Sequence, residues 1–251
     1  MPARVAHLWR HPIKGHGVEA VARTTLQAGA TMPWDRVWAI AHEAAKVAPG
    51  QRDWASCANF SRGAKSPALM AIRAETDEAR GRVRLTHPDA EPIEVAPDDP
   101  ADQTRLLAWV TPLAAADRAR PAFVVRAERG MTDSPFPSIA VLGRASLAAL
   151  ADRMGRALGM ERFRGNVWLD GLEPWEEFDW IGREVVIGGA RLQIVERITR
   201  CKATTVDPDT GQPDADTLGA LEAGWGHTDF GVYAEVVAGG PVAVGDPVVV
   251  A

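Results

Sequence analysis

Cys201 lies between two cations in the run Thr199-Arg200-Cys201-Lys202. A thiol flanked in this way favours its thiolate, the form that binds soft metals and attacks sulfur. A packed, inert cysteine fits the same local sequence, so the run alone leaves both readings open. It continues through Ala203-Thr204-Thr205-Val206 into Asp207-Pro208-Asp209-Thr210-Gly211, where turn composition makes Asp207 and Asp209 turn formers rather than acids. The only other cysteine, Cys57, reads as a small buried hydrophobe. Two cysteines are too few for a disulfide framework. The six histidines are scattered, and neither Cys-x-x-Cys nor His-Glu-x-x-His spacing is present to make a zinc site. The sequence also lacks a Gly-x-Gly-x-x-Gly fingerprint, a Walker loop and a Gly-x-Ser-x-Gly elbow. Nucleotide-driven and serine-hydrolase chemistry are therefore not expected.

The elements that must position Cys201 are mostly strands. In the first hundred residues, short apolar runs at 5–9, 18–24, 37–41, 69–74, 82–86 and 92–95 read as strands between turns, as in a small barrel or sandwich. Asp99-Pro100-Ala101-Asp102 then starts a helix. Asp99 serves as the cap, Pro100 takes the first helical position, and Leu106, Leu107 and Val110 form the apolar face. Strands follow at 122–126 and 138–142. An amphipathic helix over 144–158 comes next, carried by Leu147, Leu150, Met154 and Leu158 and closed by Gly159. Further strands are expected at 167–169, 184–187, 191–198, 232–237 and 248–250, with a hairpin turn at Gly188-Gly189 and a short helix at Leu218 and Leu221. The expected fold is a β-rich α+β chain in two parts, an N-terminal barrel-like domain over 1–115 packed on a second β-barrel domain over 116–251, with a few helices. Most of the nine tryptophans are expected in cores.

Composition sets the outer limits. The chain has 251 residues, 46 % hydrophobic and 24 % charged, the ordinary balance of a globular protein. No stretch approaches the roughly 20 apolar residues of a spanning helix, and the first residues run straight into a strand pattern. A cytoplasmic protein without a membrane partner is the expectation. A net charge of −5 argues against a nucleic-acid partner but leaves room for a local basic pocket.

Several blocks taken together are similar to a known family. Thr199-Arg200-Cys201 with Thr204-Thr205-Val206-Asp207-Pro208-Asp209-Thr210-Gly211, then Phe230-Gly231-Val232-Tyr233, Gly239-Gly240 and Val244-Gly245-Asp246-Pro247-Val248, resemble MOSC domains. Upstream, Arg162-Phe163-Arg164-Gly165-Asn166-Val167 and Trp180-Ile181-Gly182 fit the same pattern in the same order. The N-terminal part resembles, more weakly, the β-barrel domain that precedes MOSC in the amidoxime-reducing component, through His11-Pro12-Ile13-Lys14-Gly15 and Trp34-Asp35-Arg36-Val37-Trp38. Gly15 stands where that family usually has serine, and the segment around Cys57 departs from its Thr-x-Arg pattern.

The resemblance implies binding of the molybdenum cofactor, with Cys201 as the protein thiolate on the metal. It also implies that Lys14, Arg36, Arg164, Asn166, Thr199, Arg200 and Tyr233 hold the cofactor's phosphate and pterin. All of these but Thr199 also have a structural reading: Lys14 and Arg36 as surface charges, Arg164 and Asn166 as turn supports, Arg200 as a salt-bridge partner and Tyr233 as a packed side chain. The activity implied is reduction of an N-oxygenated small-molecule substrate. Without a flavin, haem or iron–sulfur motif in the sequence, the electrons would come from a donor protein. The alternatives are a carrier that holds a persulfide on Cys201 and a binding module that stores or presents the cofactor. Nothing resembles the pyridoxal-phosphate domain of the sulfurases.

Overall fold

The computed structural model describes residues 2–251. In chain order the N-terminal part holds β1 (Arg4–Arg10), β2 (Ile13–Lys14), β3 (Glu19–Val21), β4 (Arg23–Leu26), β5 (Trp38–His42), β6 (Arg73–Asp77), β7 (Arg82–His87), β8 (Ala90–Val95), α1 (Pro100–Val110) and β9 (Pro121–Arg126). The C-terminal part holds β10 (Ile139–Gly143), α2 (Arg144–Met154), β11 (Val167–Asp170), β12 (Glu184–Ile187), β13 (Ala190–Thr199), α3 (Thr217–Trp225), β14 (Asp229–Ala238), β15 (Gly240–Ala243) and β16 (Val248–Val250). The chain is strand-rich with few helices, as the sequence suggests. Among the described residues, no helix is long and apolar enough to cross a membrane.

Eight strands form the main sheet in the order β16-β12-β13-β14-β10-β11-β1-β3. The sheet curls so that the start of β1 reaches the turn before β16. Val5 N donates to Asp246 O at 2.9 Å, Gly245 N to Val5 O at 2.8 Å and Val248 N to Ala3 O at 2.9 Å, which removes most of an open edge. Val5, Leu8, Val141, Leu169, Leu192 and Val232 point into this barrel. The outer face of the sheet carries α2 and α3, whose Leu150 and Leu221 cluster with Trp9, Leu142, Phe163, Trp168 and Phe230. All nine tryptophans pack on one or another of the apolar clusters.

The N-terminal part is not a self-contained block ending near residue 115. β1 pairs with β11, β4 with β15, and β9 returns to lie against β5. The pieces left to this part are the small sheet β2-β5-β9 and the meander β6-β7-β8, which share a core of Ile13, Trp38, Ile40, Leu85, Leu106 and Val110. Asp99 caps α1 by accepting from Asp102 N at 3.0 Å, as the sequence predicts.

Three local expectations shift. The strand predicted over 69–74 is a 3-10 turn, Pro67–Ala71, followed by β6. Pro67 at its start fixes a φ suited to a turn, and the apolar residues that read as a strand are buried around it. The single strand predicted over 18–24 is split into β3 and β4. The helix predicted to run to Leu158 stops at Met154, because Gly155 adopts the left-handed conformation (φ 64°) and caps it four residues before Gly159.

Candidate functional site

Between the two parts lies a cavity of about 220 Å³, lined by Lys14, Arg36, Cys57 and Arg62 from the N-terminal part and by Asp133, Arg162, Arg164, Thr199, Arg200, Cys201 and Tyr233 from the C-terminal part. β13 ends at Thr199 and delivers Cys201 in extended conformation to the start of a 3-10 turn, Lys202–Thr205. Thr204 fastens that turn by donating from its hydroxyl and its N–H to Cys201 O, both at 3.1 Å. Asp207 closes the following loop by accepting from Asp209 N, so the aspartates are turn formers. The Cys201 side chain is free and exposed, as a reactive thiol requires.

The two cations beside Cys201 in sequence part company in space. Arg200 folds back into the cavity wall, donating to Phe230 O at 2.8 Å and Phe163 O at 2.7 Å while stacking over both rings. Lys202 turns instead to an open groove beside the cavity, with Pro67, Val206 and Leu218.

Arg36 and Arg164 form the floor. Each sits at positive φ, 54° and 48°, a strained state for a non-glycine residue that the surroundings must hold in place. Main-chain bonds clamp Arg36 on both sides, from its own N to His11 O and from Met131 N to its carbonyl, each at 2.7 Å. Its guanidinium pairs with the buried Asp35 and also donates to Arg164 O at 3.0 Å. Burial alone would raise Asp35, but Arg36 and His11 hold it well below the usual carboxylate range. His11 donates to the same carboxylate from its main chain at 2.8 Å and lies within 3.2 Å of it through Nδ1. Burial, then Arg164 and Arg36, lower His11 to about 3. Burial lowers His16, whose Nδ1 meets Lys14 O at 2.7 Å, to about 4. Both imidazoles are neutral at pH 7.

The remaining wall is also rich in positive charge. Lys14, almost fully buried, donates to Met131 O at 2.7 Å and to Asp133 at 2.6 Å. Burial lowers its pKa, against the pull of Asp133. Asp133 stands at the mouth with 59 % of its side chain exposed. Lys14, with Arg36 and Arg164 further off, holds it down at about 2. Arg162 pairs with Asp214 through both terminal nitrogens, at 2.6 and 2.8 Å, while its Nε is buried without a partner. Among the described residues, Arg62, Arg164 and Arg200 meet no carboxylate. They donate instead to Cys57 Sγ, to Gly17 O and to the two carbonyls noted above. Arg164 Nη2 is buried with no partner at all. Burial, then Arg36, lower Arg164 to about 9, and burial lowers Arg200 to about 10. These shifts mark a wall short of negative charge. Tyr233 is pushed up to about 12 by burial and then by Asp133, so its hydroxyl keeps its proton.

Seven of the eight site residues named from sequence line this one cavity. Thr199 does so with its hydroxyl donated to Asp229 at 2.7 Å. Asn166 is the exception. Its main chain accepts from Trp9 N and donates to Ala140 O, while its side chain accepts from Ala140 N at 3.0 Å and donates to Trp9 O at 3.2 Å. All four groups are spent joining β1 to β10, so Asn166 is a strut behind the arginines.

Cys57 is not the buried hydrophobe its sequence suggests. It is half-buried, lines the cavity and accepts from Arg62 Nη1. Arg62 and Asp133 carry no sequence signal beyond their charge, and Asp35 stands out only as a member of the Trp34–Trp38 block. Gly15 has φ 75°, and a Cβ there would stand 2.7 Å from Ser61 O, so this turn has no room for the serine usual in the family.

Residues 2–122 match the MOSC N-terminal beta barrel domain and residues 131–249 the MOSC domain. Over 97 % of its length the chain is 26 % identical to mitochondrial amidoxime reducing component 2 of Bos taurus, covering 82 % of that protein. A stretch of 46 % of the chain is 38 % identical to mitochondrial amidoxime-reducing component 1 of Mus musculus, spanning only 36 % of the mouse protein. Another, 30 % of the chain, is 36 % identical to molybdenum cofactor sulfurase of Anopheles gambiae across 10 % of its length.

Proposed function

The chain belongs to the MOSC domain family, with a MOSC N-terminal beta barrel domain ahead of its MOSC domain, and from that premise we propose that its cavity binds the molybdenum cofactor. The observation that carries this reading is an exposed thiol, Cys201, beside guanidiniums that no carboxylate neutralises, one of them with a buried, unpartnered N–H. The cofactor's phosphate suits such a wall, because guanidinium donors bind phosphate in fixed, charge-assisted geometry. Its soft metal suits a thiolate.

When bound, the cofactor supplies two-electron redox chemistry at its metal. Cys201 is the protein's ligand to that metal, and its place at the exposed end of β13 leaves room for a substrate. Arg36, Arg164 and Arg200 hold the phosphate, and the strained turns at Arg36 and Arg164 set their direction before binding. Tyr233, protonated, presents a hydroxyl donor. Asp133 steadies Lys14 at the mouth. The activity proposed is reduction of N-oxygenated small molecules, on the strength of the amidoxime-reducing relatives. Two cysteines cannot supply the four thiolates of an ordinary iron–sulfur cluster, and a separate donor protein is proposed to bring the electrons.

Elemental analysis of protein expressed with ample molybdate tests the reading. The wild type should carry near-stoichiometric molybdenum and the Cys201→Ser variant little. A metal-free wild type refutes it. The exposure of Cys201 and the similarity to a sulfurase favour a second reading, a persulfide carrier. Cyanide-releasable sulfur without metal would select that one.

A further inference from the structure

The groove that Lys202 enters has a volume of about 580 Å³, within the range of small-molecule sites. Gly63 and Ala64 line both this groove and the cavity, so they form the ridge between the two. A Cβ at Gly63 would run into Met70 Sδ. No side chain fits there, and the ridge stays low. Cys201 lines the cavity and Lys202 the groove. Their Cα atoms, being consecutive, lie about 3.8 Å apart, so one small molecule can reach both side chains. Three charged residues line the groove, and two are already engaged. Asp214 is held by Arg162 at 2.6 and 2.8 Å and by Arg156 at 2.5 Å. Asp216 caps α3, accepting from Gly219 N at 2.9 Å. Lys202 is exposed, and among the described residues its ammonium meets no carboxylate. Pro67, Val206, Pro213 and Leu218 add an apolar surface.

We propose that this groove is the substrate subsite, and that it selects N-oxygenated molecules with an apolar body and a carboxylate remote from the N–O group. This rests on the reductase reading of the cavity. The cavity, about 220 Å³, has little space for a substrate's body once a cofactor is seated, and the groove supplies that space. The reacting end lies on the Cys201 side of the ridge. The body crosses Gly63 and Ala64 onto Pro67, Val206 and Leu218, and the carboxylate meets Lys202. Because Asp214 and Asp216 have partners of their own, neither draws the ammonium away from that task. Lys202 is thereby a specificity residue, set apart from the arginines that face the cavity.

The test is equilibrium binding to the full-length protein, purified after expression with ample molybdate. Two probes that differ in charge alone are titrated by calorimetry, para-carboxybenzamidoxime and its neutral methyl ester. The carboxylate should bind about three- to fivefold more tightly, the size of an exposed ion pair. Lys202→Ala should remove that margin and Lys202→Glu should reverse it. Methyl NMR should show the bound carboxylate probe shifting Val206 and Leu218. Equal affinity of the two probes for the wild type, no binding of either, a margin that survives in Lys202→Glu, or shifts confined to Ile198 on the cavity wall would overturn the subsite. Molybdenum in the same preparation is measured separately. Metal without a carboxylate preference removes the subsite alone, whereas a Lys202-dependent preference without metal removes the cofactor reading and leaves the anion-selective groove standing.

Discussion

Arg36 reaches out of the N-terminal part and donates through Nη2 to the main-chain carbonyl of Arg164 at 3.0 Å. One strained arginine thus holds the turn of the other, and the two walls of the cavity are joined at its floor. Asp35 sits beneath as the counter-charge to Arg36.

Removing Arg36 should therefore cost more than a surface charge does. Arg36→Ala leaves the Asp35 carboxylate buried and unpaired, which costs about 3–5 kcal/mol. In Asp35→Asn/Arg36→Met, with neither charge present, much of that stability should return while molybdenum retention stays impaired. Urea denaturation and metal analysis of both variants check this.

Cys201→Ser should leave stability within about 0.5 kcal/mol, as for most exposed substitutions, because its side chain packs on little. Metal or sulfur loading should be lost all the same. Global unfolding of this variant would mean that the sulfur is structural.

Asn166→Ala should behave in the opposite way. It strips Ala140 N–H and Trp9 C=O of side-chain partners and should destabilise by about 1–3 kcal/mol. Asn166→Ala protein that remains folded should retain its cofactor, since no Asn166 atom lines the cavity.

Acid should weaken the fold through His11 and His16. Their folded pKa values, about 3 and about 4, lie below the unfolded value near 6.5, so the unfolded chain binds more protons across that interval. The stability they contribute is complete above about pH 6.5 and falls as pH drops toward 4. Between pH 7 and 5 the loss is about 2 kcal/mol for each histidine. Denaturation curves at the two pH values measure it, and His16→Gln should flatten the difference.

Gly15→Ser restores the residue usual in related sequences but should not restore a ligand contact. With positive φ and Ser61 O 2.7 Å from a Cβ, the change should destabilise by about 1–3 kcal/mol. Thermal melting measures this.

Much of the site was legible because its signals are local. The Thr-Arg-Cys run ends a strand, Gly188-Gly189 turns a hairpin and Asp99 caps a helix, and each leaves its mark within a few residues. What escaped depends on distant partners. Asn166 reads as a ligand until Trp9 and Ala140, far away in sequence, are seen to use all of its polar groups. Cys57 reads as filler until Arg62 and the opposite wall are in place. The apolar run at 69–74 suits a strand or a buried turn equally well, and only packing around Pro67 decides. The pairing of β1 with β11 and of β4 with β15 across the two parts has no sequence signal, because strand pairing at that range leaves no periodicity behind.

That crossing also bears on how the protein would respond to a protease. The segment joining α1 to β9 is largely exposed around Asp117 and Arg118, an accessible place for a cut. A cut there would separate β1, β4 and β5 from their partners β11, β15 and β9 in sequence alone. The two fragments, distinct on a denaturing gel, would still travel as a single particle on a sizing column, with the cavity intact.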